Sequence, residues 1–418
     1  MKRLLTTAAL VAVGFALATP IFTAGTAHAI PAFTRQHKTE CATCHTIFPE
    51  LTEQGLNFYK NSFVWTEAKS AKATKEQKGE SKEYLILSSL PEYVPVSFGG
   101  TLNASYNDQA SDGNEFDLSS RAAVLFAGGS FLDKMGFYLN YTLYSEGIYD
   151  PDLSNVPLNN NPNLVELFLQ ARRVFGTPIN VKAGRMKPDL SIWKGFDKVS
   201  TTPLATTSYR VGENPFYVDG PEDAIEANAI LGGRVYTALG IAKRKNVDRL
   251  DFFGSASVKL GGADYEGKEA AVNLDSDSIF DYLMLTLNGY FYTGTIRGGA
   301  SNAKDDYYRY GFEADARYQR FRARIASALG RDNNADLLTT PDEKKSAVVI
   351  AEASYLVGSN VIPGFRYEFE DNGTYDMKRY IPYVSYAPLQ NAKMVLEYKH
   401  EDGAGSVNVV NLAAVISF

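Results

Sequence analysis

The chain has 418 residues, a formal net charge of −6 and only two cysteines, which argues against a nucleic-acid-binding protein and against a disulfide scaffold. β-Branched and aromatic residues are abundant, which excludes wholesale disorder, and beyond the first 30 residues no apolar run approaches the ~20 that a membrane-spanning helix needs. A chain of this length forms several globular domains unless one sheet closes into a large barrel, and the 26 tyrosines and 24 phenylalanines fit that second case.

Residues 1–29 have the pattern of an export signal. Lys2 and Arg3 form the positive region, 4–15 is apolar, and Ala27-His28-Ala29 is a small-x-small cleavage site. We therefore expect a mature protein that lies beyond the inner membrane. A retained transmembrane anchor is the alternative, although the apolar core is short for a span.

Both cysteines lie in one motif, Cys41-Ala42-Thr43-Cys44-His45, which is typical of covalent c-type haem attachment. The two thiols can form thioethers with the vinyl groups of one haem, and the adjacent imidazole of His45 then reaches the iron as proximal ligand. This histidine distinguishes the motif from a redox-active cysteine pair or a disulfide, and a zinc site would need further ligands nearby. The sequence therefore predicts one haem c, held by Cys41, Cys44 and His45.

The distal ligand of the iron is less defined by the sequence. His37 lies four residues before Cys41, and an extended segment covers roughly 3.3 Å per residue, so the imidazole can wrap to the opposite face of the haem. A solvated His37 is the alternative, and Met186 or His400 could ligate if the haem module packs inside the following domain. The choice matters because Met/His ligation raises the potential of the haem.

The haem motif belongs to a small α-helical module, residues 30–66. A short helix is predicted over 56–63. Its apolar side chains, expected to pack on the porphyrin, are Leu56, Phe58, Tyr59 and Phe63. About 35 residues bury too little apolar surface to fold alone, so the module needs the haem and a larger body to pack against. Residues 67–92 form a charged linker with five lysines; a docking patch for an acidic partner is the alternative.

From residue 93 to residue 418 the apolar residues recur with a period of two. At 308–319, 365–370 and 392–399 they alternate with charged residues, which places apolar side chains on one face of each strand. Aromatic residues at strand ends, and an alternation of short turns with long polar loops, favour a transmembrane barrel over a soluble sandwich. The aromatic excess is accordingly expected on the lipid-facing surface. The long external loops are expected at 107–115, 146–162, 187–222, 294–304 and 330–345.

The strand pattern predicts about 16 strands, an even number as in single-chain bacterial barrels. A long connection at 261–278 falls on the periplasmic side, and a further hairpin there would raise the count to about 18. The final segment, 410–418, ends in Phe418 and is amphipathic, which resembles the C-terminal signal of bacterial outer-membrane barrels. The predicted fold is mainly β: an antiparallel transmembrane barrel with a small monohaem cytochrome c module in its lumen or on its periplasmic side.

A barrel of this size has a wide lumen, and the polar face of the strands is expected to line it. The charged residues assigned to this lining include Arg309, Glu313, Asp315, Arg317, Arg322, Arg324, Arg366, Glu368 and Lys393. Such charges either steer solutes, as in a porin, or grip a plug.

This arrangement resembles the fused monohaem cytochrome c–porin family of outer-membrane Fe(II) oxidases. The resemblance is carried by residues 31–36 (Pro-Ala-Phe-Thr-Arg-Gln), the haem motif, residues 48–51 (Phe-Pro-Glu-Leu) and residues 55–60 (Gly-Leu-Asn-Phe-Tyr-Lys). Over the barrel it is architectural only. Where the family often has Thr-Gly-Met before the haem motif, this chain has His37-Lys38-Thr39-Glu40.

The resemblance implies an electron-transfer protein embedded in outer-membrane lipid. Extracellular Fe(II) would be the electron donor and a periplasmic c-type cytochrome the acceptor, with no role for nucleic acid. The alternatives are a diffusive porin with an accessory haem and outward electron transfer to external metals. No iron site is recognisable in the sequence, and the candidates among the acidic loop residues are Asp150, Asp152, Asp332 and Asp336.

Overall fold

The computed structural model describes residues 33, 36, 37, 39–65, 96–109, 115–131, 134–145, 163–244, 247, 249–268, 282–298, 303–403 and 405–417. The export signal 1–29, the linker 67–92, Asp150, Asp152 and Phe418 lie outside the described residues. In the part of the chain that the structure describes, no helix is both long enough and apolar enough to cross a membrane.

Sixteen strands form one closed antiparallel barrel, in which each strand pairs with its neighbours in the chain and β1 pairs with β16. The strands are β1 (Val96–Asn107), β2 (Phe116–Phe131), β3 (Met135–Ser145), β4 (Asn163–Ala171), β5 (Ile179–Met186), β6 (Glu222–Leu231), β7 (Val235–Lys243), β8 (Leu250–Leu260), β9 (Leu283–Gly298), β10 (Ala303–Tyr318), β11 (Phe321–Asp332), β12 (Lys344–Tyr355), β13 (Val361–Asp371), β14 (Asp376–Leu389), β15 (Ala392–Asp402) and β16 (Ser406–Ser417). The predicted mainly β fold and strand number are confirmed. Because β8 pairs directly with β9, no additional hairpin separates them in the sheet.

The two ends of the barrel differ in their connections. Short connections such as 319–320 and 390–391 lie at one end, together with the start of β1 and the end of β16; we call this the turn end. The opposite end, the loop end, carries longer connections such as 333–343. On the predicted orientation of outer-membrane barrels, the turn end faces the periplasm.

The outer surface of the barrel has a band of exposed aliphatic side chains between two zones of exposed aromatic ones. The aliphatic band includes Leu102, Leu167, Ile225, Leu239, Leu287 and Ile325. Exposed aromatic residues are Phe116, Phe252, Tyr308, Tyr380 and Tyr398 toward the loop end, and Phe175, Tyr282, Phe321 and Tyr355 toward the turn end. An exposed apolar surface of this extent needs a lipid environment, and aromatic zones at both interfaces are the pattern of outer-membrane barrels.

The alternation along the strands separates the two faces as predicted. On β10, Tyr308 and Phe312 are exposed on the outside, whereas Arg309 and Glu313 between and beside them are buried in the lumen. One expectation is wrong: the aromatic excess is not confined to the outer surface. Aromatic side chains nearly fully buried inside the barrel include Tyr236, Phe253, Tyr265, Tyr292 and Tyr307.

The connection between β5 and β6, residues 187–221, folds into the lumen, which corrects the prediction of an external loop at 187–222. We call it the inserted segment. The wall of the barrel holds it through charged side chains: the Glu313 carboxylate accepts from the backbone N–H of Ile192 at 2.6 Å, and Arg366 Nη2 donates to the Thr202 carbonyl at 2.7 Å. These buried wall charges therefore hold a segment of the chain inside the lumen, which was one of the two roles predicted for them.

The described residues between 33 and 65, the N-terminal segment, fill the lumen at the turn end. This segment contains the helices α1 (Cys41–Cys44) and α2 (Glu53–Lys60), and Phe33, Gln36 and His37 before them are also helical. Helix α2 begins earlier than the predicted 56–63 because the Thr52 side chain caps it by accepting from the Gly55 N–H. It ends at residue 60, and Ser62 and Phe63 then adopt left-handed backbone angles that a helix cannot continue through.

Polar contacts attach the N-terminal segment to the barrel at the turn end. Asn57 Nδ2 donates to the Asp264 carbonyl at 2.8 Å, and Asn61 Nδ2 donates to the Tyr265 carbonyl at 2.6 Å. The Cys41 N–H donates to Gln390 Oε1 at 3.1 Å. A short helical segment that cannot fold alone therefore obtains its packing surface from the barrel interior.

Candidate haem site in the barrel lumen

A large apolar cavity lies between the N-terminal segment, the inserted segment and the wall formed by β2, β3 and β4. The cavity and its mouth together enclose about 1260 Å³ of empty space, part of which is open to solvent. Both cysteines and both histidines of the N-terminal segment line it, and so do Phe58, Tyr59 and Phe63 of the predicted porphyrin contacts. Leu56 instead packs against the Tyr236 and Tyr265 side chains.

The haem motif is held in a compact loop over this cavity. The His45 N–H donates to the Cys41 carbonyl at 2.9 Å, which closes α1, and the Thr52 N–H donates to the Cys44 carbonyl at 2.9 Å. Gly55 of α2 approaches so closely that a Cβ at this position would lie 2.2 Å from the Cys44 carbonyl oxygen. A glycine is therefore required here for the helix to pack against the motif.

The His45 imidazole has one nitrogen engaged and one available. Its Nδ1 lies 3.1 Å from the Pro49 carbonyl oxygen, and because a carbonyl only accepts, Nδ1 is the protonated nitrogen and Nε2 carries the lone pair. Burial lowers the pKa of His45 to about 4, although hydrogen bonds to its backbone neighbours oppose the shift. A neutral imidazole that donates from Nδ1 to a carbonyl is the usual arrangement of a histidine that binds a metal through Nε2.

Both thiols of the motif lie at the cavity. No disulfide joins Cys41 and Cys44. Burial, with a smaller contribution from Cys41, raises the pKa of the Cys44 thiol to about 12, whereas the attacking cysteine of a redox pair has a lowered pKa. The donor set of two adjacent thiols and one neutral imidazole at an apolar cavity fits a covalent haem c.

His37 is the second histidine at the cavity. Its ring stacks on Trp65 with centroids 5.5 Å apart and meets the Phe58 ring edge-on at 5.2 Å. Its Nε2 is buried without a hydrogen-bond partner, and burial lowers the pKa of His37 to about 4. A buried imidazole nitrogen without a partner costs free energy unless a ligand satisfies it, and the iron of a haem in this cavity would do so.

The other two candidates for the distal ligand lie elsewhere. Met186, at the end of β5, is completely buried in the main apolar core and does not line the cavity. His400, on β15 near the loop end, has its Nδ1 2.9 Å from Asn408 Oδ1 and its ring against Tyr380. Of the three sequence candidates, the structure therefore places only His37 at the cavity that holds the haem motif.

A cluster of wall arginines fixes the turn that follows the motif. The Glu50 carboxylate lies 2.7 Å from Arg322 and 3.5 Å from Arg324, all three being buried. Although burial raises it, the Coulombic attraction of Arg322 and Arg324 holds the pKa of Glu50 below its usual value of 4.5. Arg317 Nη2 donates to the Leu51 carbonyl at 3.0 Å. The wall thus positions Pro49, whose carbonyl accepts from His45.

Several residues at the cavity were not singled out from the sequence. They are Trp65 beside His37, the wall residues Val124, Phe126 and Tyr138, and Phe196 of the inserted segment. Nothing in their local pattern marks them, because their role depends on the lumen-facing register of β2 and β3 and on the path of the inserted segment. Within the described residues, no group of three or more His, Cys, Asp or Glu side chains is arranged to hold a free metal ion.

Comparison with known proteins identifies the fold of the barrel. No protein-family model and no curated protein matches the chain. An anion-selective porin from Comamonas acidovorans superposes with a TM-score of 0.53 at 12% identity, covering 77% of this chain and 99% of the porin. A loop L8 deletion mutant of OmpT, an outer membrane protein of Vibrio cholerae, has a TM-score of 0.50 at 13% identity, with 77% and 99% covered.

A third similar structure is the outer membrane channel DcaP of Acinetobacter baumannii, with a TM-score of 0.50 at 10% identity, covering 77% of this chain and 97% of the channel. At identities this low the likeness establishes the fold alone. The chain has a porin-like barrel of 16 strands.

Proposed function

We propose that this protein carries one covalent haem c inside an outer-membrane barrel and transfers single electrons between the outside of the cell and the periplasm. Cys41 and Cys44 would hold the haem, with His45 as the proximal iron ligand and His37 as the distal one. The observation that carries the proposal is the shared cavity, where the haem motif meets a buried His37 Nε2 that has no other partner.

The residues of the chain would act on the haem in three ways. When bound, the haem supplies a one-electron couple of its iron. His45, oriented by the Pro49 carbonyl, offers its Nε2 lone pair. The Glu50–Arg322 contact keeps the turn that contains Pro49 in place. Phe58, Phe63 and the other apolar lining residues exclude water, which together with the axial ligands sets the potential.

Extracellular Fe(II) is the proposed donor, and a periplasmic c-type cytochrome is the proposed acceptor. The position of the N-terminal segment at the turn end supports this assignment. It brings the haem motif to the end of the barrel that is predicted to face the periplasm. The inserted segment lies across the lumen, so that iron would remain outside while an electron crosses. A barrel in the outer-membrane lipid is supported by the apolar band and its two aromatic zones.

Attachment of the haem can be tested without any assumption about the electron donor or the electron acceptor. The protein is expressed with its export signal in a host that matures c-type cytochromes, and covalent haem is measured by haem staining and intact mass. We expect one haem in the wild type and in the control Thr43→Ala, and none in a Cys41→Ala/Cys44→Ala variant. A haem-free wild type in such a host would overturn the proposal.

The electron donor requires a separate test. Purified ferric protein is mixed anaerobically with Fe(II) near neutral pH, and the Soret and α bands are followed. Reduction by Fe(II) supports the oxidase function. Reduction by dithionite but not by Fe(II) would refute the donor and leave the haem assignment standing.

A diffusive porin with an accessory haem is the second candidate function. The similar structures favour it, because the proteins described as a porin and a channel have the same fold, and an open cavity beside β1 and β16 favours it as well. Liposome swelling in sugars separates the two candidates. Fast swelling would mean an open lumen, whereas the packing of the N-terminal and inserted segments leads us to expect slow swelling.

A further inference from the structure

A second cavity lies beside the candidate haem site, between the inserted segment and the wall formed by β1, β2, β15 and β16. It encloses about 1550 Å³ of empty space, and along β1 it extends from Gly99 to Asn107. Eight residues of a strand tilted by about 40° rise about 20 Å, which is most of the roughly 25 Å apolar band of an outer-membrane barrel. We call this cavity the wall passage.

The charged side chains that line the wall passage, within the described residues, are all lysines: Lys198, Lys393 and Lys399. Lys399 is balanced by Glu401 at 3.1 Å. Lys393 Nζ donates to the carbonyl oxygens of Lys198 and Val199, at 3.3 and 3.2 Å, and in the described part of the chain neither Lys198 nor Lys393 is ion-paired with a carboxylate. Lys198, a charged side chain without a carboxylate partner among the described residues, leaves a positive potential in this passage.

The wall carboxylate Glu397 contacts the inserted segment and makes no ion pair with the lysines of the passage. Glu397 on β15 accepts hydrogen bonds from the backbone N–H groups of Thr201, at 2.7 Å, and Thr202, at 3.1 Å. Its oxygens are thus committed to the inserted segment, and Glu397 is not among the residues that line the passage.

The neutral side chains of the passage are suited to an anion as well. Thr101, Asn103, Ser105 and Asn107 form the lumen-facing row of β1, and all four line the passage. Hydroxyl and amide groups donate hydrogen bonds to an anion that has lost part of its hydration shell. From Thr101 to Asn107 the row offers such donors at every second residue.

We propose that the wall passage conducts small anions past the haem site. The proposal concerns ions smaller than the sugars of the swelling test, so that it is compatible with slow swelling, and it is independent of haem attachment. Chloride, phosphate or a small carboxylate would be attracted by Lys198, and a divalent metal cation would be repelled by it. The passage would therefore favour small anions over divalent cations such as Fe(II), the proposed electron donor.

Planar bilayers with the purified full-length holoprotein test this proposal. In a KCl gradient, the reversal potential should have the sign of chloride preference. Lys198→Glu, at the partly exposed lysine of the inserted segment, should lower the chloride-to-potassium permeability ratio by roughly threefold or more, because it reverses a charge in the passage. Lys345→Gln, at an exposed lysine outside the passage, is the control and should leave the ratio unchanged.

The outcomes are distinguishable. A potassium preference in the wild type, or an unchanged ratio in Lys198→Glu, would show that the passage is not the anion path even if the barrel conducts. A complete lack of conductance would overturn both the passage and the channel candidate. Heat-modifiable mobility on a gel verifies that the barrel of each variant is folded, and the haem spectrum recorded on the same preparations separately reports the haem proposal.

Discussion

The Arg322 guanidinium lies 2.7 Å from the Glu50 carboxylate, with both side chains buried in the lumen. Arg322 belongs to β11 of the barrel wall, and Glu50 directly follows Pro49, whose carbonyl accepts from His45. One ion pair therefore connects the wall to the turn that orients the predicted proximal ligand. The contact also accounts for a charged side chain on the lumen side of a barrel strand, since a buried charge needs a partner.

Removal of the Glu50 carboxylate should loosen the N-terminal segment. Loss of one partner of a buried ion pair costs about 3–5 kcal/mol, and the lower end applies here because Arg322 keeps Asp197 and Asp315 nearby. We expect Glu50→Ala to lower the unfolding temperature of the segment and to speed liposome swelling in sugars.

The matched control is Glu343→Ala, which breaks the exposed pair between Glu343 and Arg331. Exposed ion pairs contribute little to stability because water and salt screen them, so swelling should stay at the wild-type rate. Equal swelling in Glu50→Ala and Glu343→Ala would mean that the pair does not retain the segment.

The Glu50 carboxylate also leads us to predict how the stability of the N-terminal segment depends on pH. The pKa of Glu50 is held below its usual value of 4.5 by Arg322 and Arg324, so the folded protein binds this proton less readily than the unfolded chain. The stabilisation from this group is therefore present above pH 4.5 and is lost as the pH falls through the lower folded value.

We expect sugar swelling to remain slow from pH 7 to about 4.5 and to accelerate only at more acid pH. In Glu50→Gln the acid-induced step should be smaller, because this group no longer titrates. A wild-type step centred near pH 6.5, the range of an unperturbed histidine, would point to a different group.

His37 can be assigned by spectroscopy of its alanine variant. If its Nε2 is the distal ligand, His37→Ala should shift the ferric spectrum toward high spin and change the potential, because one strong axial ligand is lost. His400→Ala is the matched control, since His400 lies on β15 with Nδ1 at Asn408, and its spectrum should not change. An unchanged low-spin spectrum in His37→Ala would remove this residue from the site.

Gly55 should be intolerant of any side chain. A Cβ would lie 2.2 Å from the Cys44 carbonyl oxygen, and because that atom belongs to the backbone, α2 or the haem motif must shift. Overpacking of this kind costs about 1–3 kcal/mol, so we expect Gly55→Ala to lower haem incorporation, measured as the ratio of Soret absorbance to protein. Gly405→Ala, where no atom lies within 4 Å, is the control, and a normal ratio in Gly55→Ala would contradict the packing argument.

Much of the barrel could be predicted from the residues because apolar and polar side chains alternate along a transmembrane strand. Alternation along 308–319 separates exposed Tyr308 and Phe312 from buried Arg309 and Glu313, and the structure confirms it. The haem motif is equally local, since Cys41, Cys44 and His45 are recognised as a haem-attachment motif by their spacing alone. Both features depend on the identity of neighbouring residues and on nothing distant.

What the sequence by itself determined, then, was the alternation, the strand number and the haem motif. Only the tertiary structure decided that residues 187–221 enter the lumen, that many aromatics face inward, and that His37 rather than Met186 or His400 lies at the cavity. The physical reason is the closure of the sheet. Closure creates an interior whose contacts, such as Glu50 with Arg322, join residues far apart in the chain, and no local pattern encodes which of them meet.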